Sequence, residues 1–224
     1  INGPAFKLTG AQVYNALAKE VVIDGKLVPN PFNKWSEVDA SLPDQEILAF
    51  IPGAKHGTRE VFDVKVVEDG CKTFKADRVV ARRVNGDKTK TTEGCIAMRT
   101  DGRVVEIDGD YTETLARLAA NKNGVGVFGL AFYENNKDKL RVAEFKGVTP
   151  SRETVASGKY KVSRPLFMYV KMQHVGTIPG LKEFVQFFVS DEVAGPGGPL
   201  EAYGLVPDPE LAKTQKKVEA DKTM

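Results

Sequence analysis

Apolar positions along the 224 residues recur at two spacings, and the alternation between them predicts helices and strands in turn. Tyr14, Leu17, Ala18 and Val21 recur at helical spacing behind a Thr9/Gln12 capping box, so a helix is expected from about 10 to 20. Residues 24–45 are rich in Pro, Asn and Asp and hold the only tryptophan, Trp35; they read as a long ordered loop that the indole anchors to the domain. Residues 46–51 then form a short apolar run that predicts a buried strand. A loop containing Gly53 and Gly57 follows, and after it a helix over about 58–68 that buries Val61, Phe62 and Val66.

Farther on, residues 72–90 carry more positive than negative charge with little clear period, and read as a solvated loop or helix face. Asp101-Gly102 is a turn signal that predicts a hairpin between residues 96–99 and 104–107. Asp110 and Glu113 form a capping pair for a helix with the apolar stripe Tyr111, Leu115, Leu118 and Ala119, ending near Asn121. The unbroken apolar run from Gly124 to Phe132 suits a central strand buried on both faces. A second strand at 140–146 is expected, then a short helix at 150–157 with Pro150 in its first position and Gly158 past its end. Residues 166–170 predict a buried strand, and Leu181, Phe184, Val185 and Phe188 a strongly amphipathic helix. Residues 195–199 read as a connector before a last helix at about 208–219.

Composition narrows the function classes. Hydrophobic content of 42% and charged content of 28% are those of an ordinary globular chain, and Lys+Arg 32 against Asp+Glu 30 leaves +2, so nothing favours nucleic acid as a partner. No apolar run approaches the roughly 18 to 20 residues a membrane span needs. The first residue is Ile1 with no charged-then-apolar leader ahead of it, which suggests a processed or trimmed chain. Cys71 and Cys95 read as free thiols in a reducing compartment and as a bridge in an oxidising one, where closing their loop contributes roughly 3 kcal/mol. No His or third Cys lies near them at ligand spacing, so no metal and no cofactor is expected. The sequence carries no G-x-S-x-G elbow, Walker loop or H-E-x-x-H motif. Of its two histidines, His174 reads as a structural loop residue.

The other histidine lies in the stretch with the clearest chemistry. Strand, glycine loop and helix start are joined at Lys55-His56-Gly57-Thr58-Arg59. The first turn of a helix leaves backbone N–H groups without intrahelical partners and carries partial positive charge, so it can hold an anion. Gly57 lets the backbone approach closely, Thr58 offers a hydroxyl, Arg59 a fork of donors, and Lys55 and His56 further ones. The same residues also make an ordinary well-capped connection, and the pattern alone leaves both readings open.

His56-Gly57-Thr58-Arg59-Glu60-Val61-Phe62 resembles the Ser-Gly-Thr-(Arg)-x-x-Phe loop of periplasmic phosphate-binding proteins, the receptors of phosphate ABC importers. Leu8-Thr9-Gly10-Ala11-Gln12-Val13-Tyr14 is similar to a helix start of that family, and residues 124–129 to its glycine-rich strand. The most specific match runs from Ser157-Gly158-Lys159-Tyr160 through Ser163-Arg164-Pro165-Leu166-Phe167 to Tyr169-Val170-Lys171. His56 stands where the family usually has Ser, and Pro52 and Ala54 where many members have Arg and Asp; Arg59 matches the members with Arg after Gly-Thr.

The resemblance implies an α/β chain of the type 2 periplasmic-binding-protein fold, with mixed sheets flanked by helices and an incomplete first lobe. Residues 1–159 would be the second lobe with the anion loop, and 160–224 the carboxy-terminal portion of the first. Roughly the first third of an intact receptor would lie outside this sequence, leaving apolar faces of the last part exposed or associated with that lobe or another chain. Implied too are phosphate binding at Lys55, His56, Gly57, Thr58 and Arg59, and a Cys71–Cys95 disulfide; Ser163 and Arg164, at the crossover between the implied lobes, read equally as a hinge or as an interlobe salt bridge. The implied partners are inorganic phosphate and ABC permease subunits, in the periplasm of a Gram-negative bacterium, with no enzymatic activity. A receptor for another oxyanion is the alternative, and a phosphatase on the same scaffold a more distant one.

Overall fold

In the computed structural model, which describes residues 3–220, the chain divides into two units, one ending at Pro150 and the other starting at Ser151. The first unit opens with a short strand β1 (Lys7–Leu8) and helix α1 (Gly10–Leu17), started by the expected capping box of Thr9 and Gln12. The other end of α1 is closed by distant side chains. The Asn30 amide donates to the Asn15 and Ala18 carbonyls at 2.7 and 2.8 Å, and the buried Arg99 to the Ala16 carbonyl at 3.1 Å. Tyr14 is fully buried; its hydroxyl donates to the Glu20 carbonyl, and burial, with the Glu20 charge second, pushes its pKa up to about 12.

The stretch expected as one long loop contains more order than its composition shows. Strands β2 (Glu20–Ile23) and β3 (Lys26–Pro29) pair antiparallel across Asp24-Gly25, both at positive φ, and a short helix α2 (Trp35–Val38) follows. Two such residues are what a tight hairpin turn demands. Trp35 is buried edge-on against Phe6, ring centroids 5.1 Å apart, which is the anchoring role expected of it.

The largest sheet among the described residues has three parallel strands in the order β5-β4-β6: β4 is Ala49–Pro52, β5 Val104–Ile107 and β6 Val125–Gly126. All four residues of β4 are buried, as a central strand requires. Two expectations are corrected here. β5 pairs with β4 in parallel, so residues 96–99 and 104–107 form no hairpin. The run 124–132 is not a central strand: it gives the two-residue edge strand β6, and residues from Leu130 to Glu134 turn into a helix. An apolar run short enough for either state is decided by its neighbours, and β4 already holds the centre.

Between β4 and β5 lies an unbroken helical run: α3 (Gly57–Phe62), a π-helical segment at Asp63–Glu68 and α4 (Asp69–Thr73). Gly70 lets α4 cross α1, since a Cβ there would sit 2.0 Å from the Gly10 carbonyl oxygen. Helices α5 (Ala76–Arg83) and α6 (Lys88–Ile96) make residues 72–90 largely a solvated helix face, and the Cys71–Cys95 disulfide ties α4 to α6. Helix α7 (Tyr111–Ala120) is capped by Asp110, which accepts from the Thr112 amide. Helix α8 (Leu130–Glu134) and strand β7 (Glu144–Phe145), paired in parallel with β1, complete this unit.

The second unit is helical. Helix α9 (Arg152–Ala156) is capped by Ser151, so Pro150 precedes the cap and does not occupy the first helical position; Gly158, at positive φ, lies past the end as expected. Helices α10 (Leu181–Phe188), α11 (Asp191–Ala194), α12 (Pro199–Ala202) and α13 (Leu211–Glu219) follow. Residues 166–170 are a second correction in kind: they pair with no strand among the described residues, and Leu166, Phe167 and Tyr169 are exposed. Strand backbone needs a neighbouring strand to take its hydrogen bonds, and the apolar pattern supplies none.

Candidate functional site

Because β4, β5 and β6 run in parallel, the segments that leave them gather at one edge of the sheet, where open α/β sheets bind their ligands. From β4 comes Gly53 to His56 and the start of α3; from β5, Asp108 to Asp110 and the start of α7; from β6, Val127 to Gly129. A cleft of about 330 Å³ lies at the other edge, lined by residues that precede the strands, among them Glu46, Arg103 and Lys122. Its position argues against it as the site.

The β4 segment is held by backbone bonds, one to the end of β5 and one within itself. The Gly53 amide donates to the Ile107 carbonyl at 2.9 Å and the His56 amide to the Gly53 carbonyl at 3.0 Å. The Asp108 carboxylate packs against Gly53, where a Cβ would lie 2.0 Å from one of its oxygens and the Asp108 side chain would have to turn away. His56 is the N-cap residue but gives no side-chain cap; its Nε2 lies 3.4 Å from the Asp108 carbonyl oxygen. The amides of Gly57 and Thr58 make no hydrogen bond to an acceptor among the described residues. Donors in that state, at the positive end of a helix, suit an anion.

The five residues expected to bind sit together in sequence but face different duties. Lys55 and Gly57 are exposed, and His56 and Thr58 half-buried. Arg59 is buried, with Nε bonded to both oxygens of Asp63 at 2.8 and 3.0 Å and Nη1 to Glu106 at 2.9 Å and the Pro52 carbonyl at 3.1 Å. Its fork therefore ties the helix start to β4 and β5. Burial alone would lower the guanidinium pKa, and Asp63 and Glu106 outweigh it, so Arg59 is held above its usual range. Asp63 is pushed above the usual carboxylate range, chiefly by burial and further by the Glu106 charge, against the pull of Arg59.

Sequence reasoning missed Tyr111. It was visible only as one residue of an apolar stripe, yet its hydroxyl lies 2.5 Å from Thr58 Oγ1. Its ring is set by Phe128 and Phe132, with centroids 5.7 and 5.3 Å away, and lies 6.2 Å from the His56 imidazole. Asp63 and Glu106 were missed as well; the i, i+4 spacing of Arg59 and Asp63 was the one available signal. Ser163 donates to the Tyr160 carbonyl at 3.2 Å and Arg164 is exposed, both within the second unit.

The sequence profile of the PBP superfamily domain matches residues 1–192. The chain belongs to the PBP superfamily. Within it, the chain is 31% identical over 209 residues to the phosphate-binding protein PstS of Staphylococcus haemolyticus, covering 90% of this chain and 54% of that one. It is 29% identical over 187 residues to PstS of Staphylococcus epidermidis, covering 81% and 46%. The chain thus spans about half the length of the curated relatives it matches. Its fold is shared with a possible phosphate binding protein from Planctomyces limnophilus, at a TM-score of 0.61, 23% identity, and coverage of 98% of this chain and 66% of that one. The superfamily fold expected from the loop and helix motifs is therefore the one found.

Proposed function

We propose that this chain is part of a receptor that captures inorganic phosphate outside the cytoplasm and hands it, chemically unchanged, to ABC permease subunits. One observation carries the reading: unpaired first-turn amides at Gly57 and Thr58, beside the Thr58 hydroxyl, at the carboxyl edge of a parallel sheet. His56 and Lys55 add donors at the rim, and Arg59, its charge met by Asp63 and Glu106, braces the helix start from behind. The relatives' names support phosphate as the anion.

The Cys71–Cys95 bridge favours an oxidising compartment, and no helix among the described residues is long and apolar enough to cross a membrane. Assignment to the periplasm of a Gram-negative cell rests on the family resemblance alone. So do the division into lobes at 159/160 and the hinge at Ser163 and Arg164. Another oxyanion is the second reading, favoured by the imidazole of His56 at a cap that makes no side-chain cap hydrogen bond.

Calorimetric titration with phosphate, with sulfate as control, tests the proposal. Saturable binding to phosphate over sulfate, weakened about tenfold or more by Thr58→Val, is expected from the loss of a hydrogen bond to a charged group. Sulfate binding as tightly would favour the second reading, absence of binding by the folded chain would overturn the loop as the site, and turnover of a chromogenic phosphomonoester would overturn the receptor reading.

A further inference from the structure

The Thr58 and Tyr111 hydroxyls are 2.5 Å apart, on the first turns of α3 and α7, which follow adjacent strands. Each hydroxyl has one proton to donate and lone pairs to accept with. If Thr58 gave its proton to Tyr111, it would have none left for an anion. If Tyr111 gives its proton to Thr58, the Thr58 proton is released toward the unpaired amides of its own helix start. The unprotonated oxygens of a phosphate can only accept, so an anion that turns one of them to Thr58 selects the second arrangement. The phenol is also the stronger donor of the two, and a hydroxyl that accepts one bond donates the next more strongly. The aromatic packing of Phe128 and Phe132 holds the Tyr111 ring in place for this, so the hydroxyl need not be ordered when the anion binds.

We infer that Tyr111 is a positioning residue for anion capture: its hydroxyl donates to Thr58 Oγ1 and so directs the single Thr58 proton at the bound oxyanion. This rests on the phosphate reading above. It assigns a duty to a residue outside the Lys55–Arg59 segment and predicts that the two hydroxyls act as one unit.

The test is a double-mutant cycle read by phosphate calorimetry on the full chain, with thermal melts alongside. Tyr111→Phe keeps the ring against Phe128 and Phe132 and removes only the hydroxyl. It should weaken phosphate binding about tenfold in the parent and less than about twofold when Thr58 is already Val, with the melting temperature little changed. Thr58→Ser, which retains a hydroxyl, should restore the dependence on Tyr111. An equal loss in both backgrounds, or unchanged affinity in Tyr111→Phe, overturns the inference while leaving phosphate capture standing. If Thr58→Val binds too weakly to titrate, the Tyr111→Phe result in the parent decides alone. Absence of phosphate binding by the folded parent removes the phosphate reading itself, and this inference with it.

Discussion

The two units of the chain bury their apolar residues very differently. In the first, Tyr14, Trp35, Ile47, Ile51 and Val67 are all but inaccessible, and exposed large apolar side chains are few. In the second, only Val185 and Val193 are buried hydrophobic residues among those described, while Leu166, Tyr169, Phe184 and Tyr203 are 66, 77, 55 and 86% exposed. Both units nevertheless carry clear apolar patterns. Helix α10 forms with its apolar face only partly covered, because a helix satisfies its own backbone; residues 166–170, just as apolar, form no strand, because a strand cannot. Apolar periodicity names a face and leaves open what covers it. The exposed apolar residues expected from the family resemblance are present.

The contrast is open to measurement. The largest effect expected is in the first unit: Trp35→Ala should cost about 3 to 5 kcal/mol in urea unfolding followed by circular dichroism, the usual penalty for emptying a large aromatic site. Phe184→Ala in the second unit should cost no more than about 0.5 kcal/mol, as at an exposed position. Equal losses would erase the distinction drawn here.

Next in size is the disulfide. Its half-cystines are 24 residues apart, and replacing both by Ala should remove roughly 3 kcal/mol. Hydrogen exchange locates the loss: α1, α4 and α6 should exchange faster while α10 does not change. Faster exchange in α10 to the same degree would mean that the two units unfold together.

Smallest is a pH effect in the first unit. The Arg83 hydrogen bond, ahead of any other influence, holds Glu20 below its ordinary value of 4.5. A lowered folded value means that the stabilisation is complete above about 4.5 and is lost as pH falls through the folded value. Both partners are partly exposed, so less than about 1 kcal/mol is at stake. Glu20→Gln should flatten the acid side of a stability profile between pH 7 and 3; an unchanged slope would show that the pair contributes nothing.

Much of this was legible before any coordinates. Thr9 with Gln12 and Asp110 named their helix starts, and Leu181, Phe184, Val185 and Phe188 named α10, because caps and helical stripes are settled within about four residues of sequence. The Asp24-Gly25 turn was legible too, flanked by Val21, Val22, Leu27 and Val28, but the surrounding Pro, Asn and Asp residues outweighed it in the reading. The partner of β5, the split of 124–134 into strand and helix, and the missing strand at 166–170 depend on residues far away in sequence, and so were not legible.

The candidate site divides in the same way. Gly57 and Thr58 were found from their neighbours, since the chemistry of a helix start is written in the residues that form it. That Arg59 braces β4 and β5, that the Asp108 carboxylate packs against Gly53, and that Tyr111 reaches Thr58 across 53 positions came only from the tertiary structure. By itself the sequence determined where the capped helices α1 and α7 begin and which segment offers donors to an anion. The order of three parallel strands decided which distant side chains meet those donors, because strand pairing is a contest among all apolar segments at once and no single segment contains its outcome.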